Sequence, residues 1–245
     1  MTYPIAVIPA RYASARLPGK PLRKIRKKPL IQIIYENAVA TGLFEDVIVA
    51  TDDNRIFDAV HSFNGKVEMT SSHYSCGTER VAKIAQNREV DIVVNIQCDE
   101  LFIEKEPLQQ LLNAFDTDEV MAATLIHPTN DLAIINNPNR VKVVFDTEDN
   151  AIYFSRSPIP YYRDKSSNQT FFRHIGVYAF RRDTLLQIAS LPQSNLEKIE
   201  KLEQLRLLEN GMKIKVVKTE YNGFSIDTEE DLKKAAKIIR EKEEK

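Results

Sequence analysis

Ile5-Ala-Val-Ile8 runs directly into Pro9-Ala-Arg-Tyr-Ala-Ser-Ala-Arg-Leu-Pro-Gly-Lys-Pro21, and Leu30-Ile-Gln-Ile-Ile-Tyr-Glu-Asn-Ala-Val39 follows. The short apolar run, rich in β-branched residues, predicts a strand buried on both faces. Small residues, Pro and Gly predict a loop after it. The apolar spacing of the third stretch predicts a helix.

Outward from this unit the alternation continues. Asp46-Val-Ile-Val-Ala50 reads as a strand and Asp53 to Phe63 as a helix. Lys66 to Thr70 reads as a strand, and Thr78 to Gln86 as a helix with Val81, Ile84 and Ala85 on one face. Asp91-Ile-Val-Val-Asn-Ile96 is a further strand, and Glu106 to Phe115 a further helix. Uniformly apolar strands separated by helices predict a parallel sheet covered on both faces. Such sheets take ligands beyond the carboxyl ends of their strands, so the loops after Ile8, Ala50, Thr70 and Ile96 are the places to seek a site.

The rhythm changes near residue 118. Val120 to Ile126, Val141 to Phe145 and His174 to Phe180 read as strands with no helix between each pair. Ser194-Asn-Leu-Glu197 has the form of a capping box opening a helix through Leu208. Ile214 to Val217 is another strand, and a final helix starts at Thr228 with Leu232, Ala235, Ala236 and Ile239 on one face. The expected fold is α/β: a mostly parallel, Rossmann-like sheet with a mixed-strand insertion or second lobe. The division falls at 1–118 and 119–245, the second region packing on the same sheet, so that the two can count as one domain.

Composition narrows the function. With 34 Lys and Arg against 35 Asp and Glu in 245 residues, the net charge is −1. That excludes a general nucleic-acid or membrane binder. Locally the balance differs: residues 1–35 contain no acid but carry Arg11, Arg16, Lys20, Arg23, Lys24, Arg26, Lys27 and Lys28. Such a run is either an anion site or a solvated basic loop. Cys76 and Cys98 fit neither a disulfide framework nor a zinc motif, and reduced thiols in the cytosol are expected. The N-terminal residues lack the pattern of a signal peptide, and no apolar run is long enough to span a bilayer.

Arg11, Arg16 and Lys20 lie on a loop of small residues at the carboxyl end of the first strand. Walker A spacing is absent, yet the loop has what a polyphosphate needs. Arginine grips phosphate oxygens through paired donors, lysine adds a compact charge, and Gly19 permits close backbone approach.

With these residues in view, the chain resembles the sugar nucleotidyltransferases, and among them the CMP-Kdo synthetase family (3-deoxy-manno-octulosonate cytidylyltransferases). The matching segments are Ile8 to Leu22, Val49-Ala-Thr-Asp52, Met69-Thr70, Gly77-Thr-Glu-Arg80, Val94-Asn-Ile-Gln97 with Asp99-Glu100, Tyr153-Phe-Ser-Arg156, His174-Ile-Gly-Val-Tyr178, Leu202-Glu-Gln-Leu-Arg206 and Asp227. They cover nearly the whole chain in order.

The resemblance implies transfer of CMP from CTP to the anomeric hydroxyl of an acidic 3-deoxy sugar, with release of pyrophosphate, in lipopolysaccharide biosynthesis. It implies a catalytic set of Arg11, Arg16, Lys20 and Asp99. The nucleotide would meet Pro9, Ala10, Arg11, Ser14, Lys20, Ser75, Cys76, Gly77 and Gln97. Asp99 and Asp227 would be the ligands of Mg2+, a hard cation suited to carboxylate and phosphate oxygens. The sugar would meet Arg156, His174, Tyr178, Glu203 and Gln204. A cytoplasmic homodimer is also implied, with residues 1–118 as the nucleotide-binding region and 119–245 as the sugar-binding and dimerisation region.

Plainer readings stand beside these. Asp99 is also a turn or cap residue, His174 a core histidine, and Glu203 with Gln204 the polar face of a helix. Two functional alternatives stay open: an 8-amino or other 2-keto-3-deoxy sugar acid as acceptor, and a non-catalytic nucleotide-binding paralogue. The family pattern has Gly where this chain has Cys98, a small polar residue at Cys76 and Gly at Lys27. A glycine needed for positive φ could not be replaced by Cys98 without strain. Both cysteines are expected on loops facing the nucleotide and close to each other, so that blocking their thiols would inhibit.

Overall fold

The structure, a computed structural model, describes residues 4–13, 17–164 and 169–243. In chain order its elements are β1 (Ile5–Ala10), a 3-10 turn (Lys20–Leu22), β2 (Lys24–Ile25), β3 (Lys28–Pro29), α1 (Leu30–Ala40), β4 (Asp46–Thr51), α2 (Asn54–Ser62), β5 (Lys66–Met69), α3 (Gly77–Gln86), β6 (Ile92–Ile96) and α4 (Lys105–Asn113). There follow β7 (Ala122–Thr129), α5 (Leu132–Ile135), β8 (Lys142–Phe145), β9 (Ala151–Ser155), β10 (Phe171–Arg181), α6 (Arg182–Ser190), α7 (Asn195–Glu200), α8 (Leu205–Glu209), β11 (Lys215–Lys218) and α9 (Glu229–Glu243). The chain groups into two compact units, residues 1–105 with 223–245, and residues 106–222. The break therefore lies a little before residue 118, and the last segment of the chain returns to the first unit.

In the first unit β1 pairs in parallel with β4 on one side and β6 on the other, and β4 pairs in parallel with β5. All six β1 residues are buried, as expected of a central strand lying between helical layers. The chain steps outward from β1 to β4 to β5 and then returns to the far side of β1 as β6. That reversal makes the carboxyl ends of β1 and β6 the switch point where a doubly wound sheet binds its ligand. Helix spacing explains the flanking elements: α1 buries Leu30, Ile31, Ile34 and Ala38, and α2 buries Ile56 and Val60. The β2–β3 hairpin within the basic run was not legible in advance.

In the second unit β7 pairs antiparallel with β10 and parallel with β11, while β8 pairs antiparallel with both β10 and β9. This is the mixed arrangement expected beyond residue 118. The capping box at Ser194 is present, but the helix it opens is interrupted. α7 ends at Glu200 and is capped by Lys201, in the left-handed region at φ 55°, and α8 begins at Leu205. The break allows Glu197 to take Arg206 in a buried bidentate pair, at 2.8 and 2.7 Å. On a continuous helix, residues nine apart would be separated by about 13 Å of axial rise and could not meet. Strand β9 and helix α6 were also unforeseen. No helix among the described residues is long and apolar enough to cross a membrane.

Candidate functional site

The loop leaving β1 doubles back on itself. The Gly19 N–H donates to Tyr12 O at 3.0 Å, and Gly19 adopts φ 67°, a left-handed conformation that glycine takes without steric cost. Lys20 then opens the 3-10 turn. Its Nζ donates to Asp99 Oδ2 at 3.1 Å and to Ile226 O at 3.0 Å, and lies 3.7 Å from Asp227 Oδ1. Three residues distant in sequence thus meet at one point.

Backbone pairing accounts for the meeting. Asp99 lies in the turn that follows β6, and the Glu100 N–H donates to Gln97 O at 3.1 Å. Residues 99–101 run antiparallel to 224–226: Ile226 N–H donates to Asp99 O and Leu101 N–H to Phe224 O, with a bridge between Glu100 and Ser225. Asp227 is the next residue, so the ladder delivers its carboxylate beside Asp99. The Asp227 N–H is itself held by Asp231 Oδ2 at 3.0 Å.

Electrostatics at this point favour a cation. Burial pulls the Lys20 ammonium down, but Asp99 and Asp227 outweigh it, and the pKa stands above its ordinary value. Lys20 is therefore charged at every physiological pH. Two carboxylates facing one ammonium leave net negative charge for a further cation. Among the described residues no cluster of three or more His, Cys, Asp or Glu offers a complete protein cage for a metal. Two carboxylates, both still partly exposed, fit an ion such as Mg2+, which keeps waters and phosphate oxygens in its shell. They do not fit a closed structural site.

Other predicted residues line the same end of the sheet. Pro9 and Ala10 close β1, and the Arg11 guanidinium donates to Tyr74 O at 2.7 Å. Ser75 is held through its N–H and its hydroxyl by Glu79, at 2.6 and 2.8 Å. Gly77 opens α3 so close to Pro9 and Gln97 that a Cβ would stand 3.3 Å from Pro9 Cγ and 3.6 Å from Gln97 Nε2. Gln97 Nε2 donates to Asn95 Oδ1 at 3.1 Å, which sets the orientation of its amide. Pro9, Gly77 and Gln97 therefore pack closely together. Ser14 and Arg16 lie outside the described residues.

Cys98 is not in the left-handed region. Among the described residues, the non-glycine positions with positive φ are Arg26, Asn64, Asp149 and Lys201. Cysteine in place of the family's glycine thus carries no strain of that kind. Both cysteines are buried thiols. Burial pushes the Cys98 thiol up to about 12, so it holds almost no thiolate near neutrality. This weakens the expectation of ready inhibition by thiol reagents.

The second unit gathers the residues predicted for the sugar. β10 is bulged between Ile175 and Tyr178, an irregularity that re-aims side chains. His174 and Tyr178 face each other, ring centroids 5.2 Å apart, and Phe154 meets His174 edge-on at 5.3 Å. Thr124 Oγ1 donates to Val177 O at 2.8 Å and lies 3.0 Å from His174 Nε2. With the hydroxyl proton spent on Val177, His174 donates from Nε2 and leaves Nδ1 as an acceptor. Burial, assisted by the neighbouring Arg173 charge, drives the His174 pKa from 6.5 to about 3, so the ring is neutral.

Among the described residues, the buried Gln204 Nε2 meets no hydrogen-bond partner. Buried polar atoms left in this state are costly unless a ligand or water meets them. Burial raises the Tyr178 pKa well above its usual value, the Glu203 charge adds to it, and the contact with Thr124 opposes both.

Arg156 is more engaged than its motif suggested. Its guanidinium donates to the carbonyls of Glu200 (2.7 Å), Pro138 (2.9 Å) and Lys201 (3.3 Å). Two residues around it were missed in the sequence. Glu200 accepts from the Arg156 N–H at 3.0 Å and from Ser155 Oγ at 2.7 Å. Lys142 is fully buried, with Nζ on the carbonyls of Asn137 (3.1 Å), Arg140 (2.6 Å) and Arg156 (2.6 Å). Burial, with the Arg156 charge nearby, lowers its pKa to about 8. A lysine in an alternating strand carries no sign that it points inward.

Residues 5–214 match the cytidylyltransferase family. The chain belongs to that family. Among its relatives, a 3-deoxy-manno-octulosonate cytidylyltransferase of Flavobacterium johnsoniae is 48% identical over 240 residues, covering 97% of this chain and 98% of the relative. One of Christiangramia forsetii is 46% identical over 238 residues, covering 96% of each. A solved structure of CMP:2-keto-3-deoxy-manno-octonic acid synthetase complexed with CTP is 40% identical. It superposes with a TM-score of 0.90, covering 98% of this chain and 99% of that one. This chain is therefore a cytidylyltransferase that groups with the CMP-Kdo synthetases, and its α/β fold with a mostly parallel sheet is theirs.

Proposed function

We propose that the protein transfers CMP from CTP to the anomeric hydroxyl of 3-deoxy-manno-octulosonate, releasing pyrophosphate. The observation that carries this reading is the meeting of Lys20 with Asp99 and Asp227 at the carboxyl ends of β1 and β6. The names of the nearly full-length relatives supply the nucleotide and the acceptor.

In this reading Arg11 and Lys20 hold the triphosphate, with Arg16 from the same loop. Catalysis of this kind is mostly positioning and charge stabilisation. Asp99 and Asp227 would hold Mg2+, whose contribution is to polarise the phosphate and neutralise its charge. Lys20 orients both carboxylates and adds positive charge where pyrophosphate departs. Pro9, Ala10, Ser75, Cys76, Gly77 and Gln97 form the base end, where a compact wall with one oriented amide reads the cytosine edge. In the second unit, neutral His174, Tyr178, Glu203 and Gln204 take the sugar hydroxyls. Arg156, with donors left over after its three carbonyls, faces the carboxylate. The proposed setting is the cytoplasm, the proposed assembly a homodimer, and the proposed role the supply of an activated sugar for lipopolysaccharide.

A pyrophosphate-release assay with CTP, Mg2+ and a panel of acidic sugars tests the reading. Turnover with 3-deoxy-manno-octulosonate above the other acids supports it. Preference for an 8-amino analogue reassigns the acceptor, and release with none of the sugars refutes catalysis.

A further inference from the structure

Arg55 belongs to none of the segments that carry the family resemblance, and its side chain is 59% exposed. Its geometry is nevertheless tightly specified. Asp53 caps α2 by accepting the Arg55 N–H at 2.9 Å. The same carboxylate takes Arg55 Nε at 2.9 Å and Nη2 at 2.6 Å. A bidentate grip sets the plane of a guanidinium as well as its place. The plane so set lies over the Tyr12 ring, 3.3 Å from the ring centroid.

Tyr12 is in turn tied to the residue before Lys20. Its carbonyl accepts from the Gly19 N–H at 3.0 Å. A Cβ on Gly19 would stand 3.2 Å from Tyr12 Cε2 and Cζ, so the ring abuts the Gly19 backbone. Tyr12 and Gly19, near the two ends of the segment from Arg11 to Lys20, are joined by this contact, and Arg55 covers the same ring.

We infer that Arg55, oriented by Asp53, is a positioning residue for the polyphosphate-binding loop and acts through the Tyr12 ring. The inference rests on the proposed reading of that loop as the triphosphate site. An exposed ion pair adds little to global stability, so the grip on Arg55 has its consequence in the loop it covers. Without the guanidinium the ring is released, the loop gains freedom, and ordering it again falls on the binding of the phosphates. Arg11 and Lys20, at the two ends of the loop, then meet the phosphates at lower effective affinity.

The test is calorimetric binding of CTP and of CMP, which lacks the outer phosphates, to the intact protein and five variants. An exposed cation–π contact corresponds to about a two- to fivefold change in affinity. Arg55→Ala should weaken CTP by about that factor and leave CMP nearly unchanged, with the melting temperature unmoved. Tyr12→Leu should do the same. The double variant should be no weaker than either single one, because both break one contact. Tyr12→Phe, which keeps the ring, should bind as the unaltered protein does.

Unchanged CTP affinity in Arg55→Ala, equal weakening of CTP and CMP, or additive losses in the double variant would each overturn the inference. Lys20→Ala separates this from failure of the site itself. If it too leaves CTP binding intact, the loop is not the triphosphate site, and both readings fall.

Discussion

Protonation of His174 offers a test that does not depend on turnover. The ring has an ordinary pKa of 6.5 and about 3 in the folded protein, lowered by burial and then by Arg173. The unfolded chain therefore binds this proton first as the pH falls. Stability from the neutral ring is complete above pH 6.5, declines below it, and is fully lost once the pH reaches about 3. From pH 7 to pH 5 the linkage relation gives a loss of about 2 kcal/mol. The ring is only partly covered from solvent, and screening reduces this to about 1–2 kcal/mol. The measurement is urea unfolding at pH 7, 6 and 5 for the protein and for His174→Gln, which keeps a donor for Thr124. The difference between the two stabilities should change by that amount across the range. Parallel curves, or a His174 ring that titrates near 6.5 by NMR, would refute the burial argument and remove the case for a neutral imidazole in the sugar cluster.

Asp99→Ala and Asp227→Ala should each abolish pyrophosphate release while leaving the circular dichroism and melting temperature near normal, since half-buried carboxylates at an end of the sheet do little for stability. Near-normal turnover in either variant removes that residue from the site. Lys142→Met leaves three part-buried carbonyls without this donor and should destabilise by about 1–3 kcal/mol in urea unfolding; no measurable loss would mean that water replaces the ammonium. Lys201→Gly relieves a left-handed residue at φ 55° and should stabilise by about 1 kcal/mol, read as a rise in the unfolding midpoint.

Much of the first unit could be read from residue order. Apolar runs separated by helical spacing determine parallel strands, and the strand at Ile5–Ala10 announces the loop where ligands gather. Chemical type along that loop pointed to phosphate, because a group of cations without acids needs an anion or water. The second unit was less legible. The β10 bulge, the broken helix at Lys201 and the inward lysine at 142 all depend on which neighbours are available, and local spacing does not encode that. A run of residues with helical preference breaks at Lys201, and the break brings Glu197 and Arg206 into a buried pair that no local spacing announces.

Sequence by itself determined the alternation of strands and helices, the basic character of the loop after the first strand and the family to which the chain belongs, since each is written in nearest neighbours and short motifs. Tertiary structure alone decided that Asp227 stands beside Asp99, because only the antiparallel pairing of 99–101 with 224–226 brings them together. It also decided that Cys98 sits without left-handed strain and that Arg55 covers Tyr12. These are facts of distance between remote residues, and distance is set by the packed chain rather than by its order.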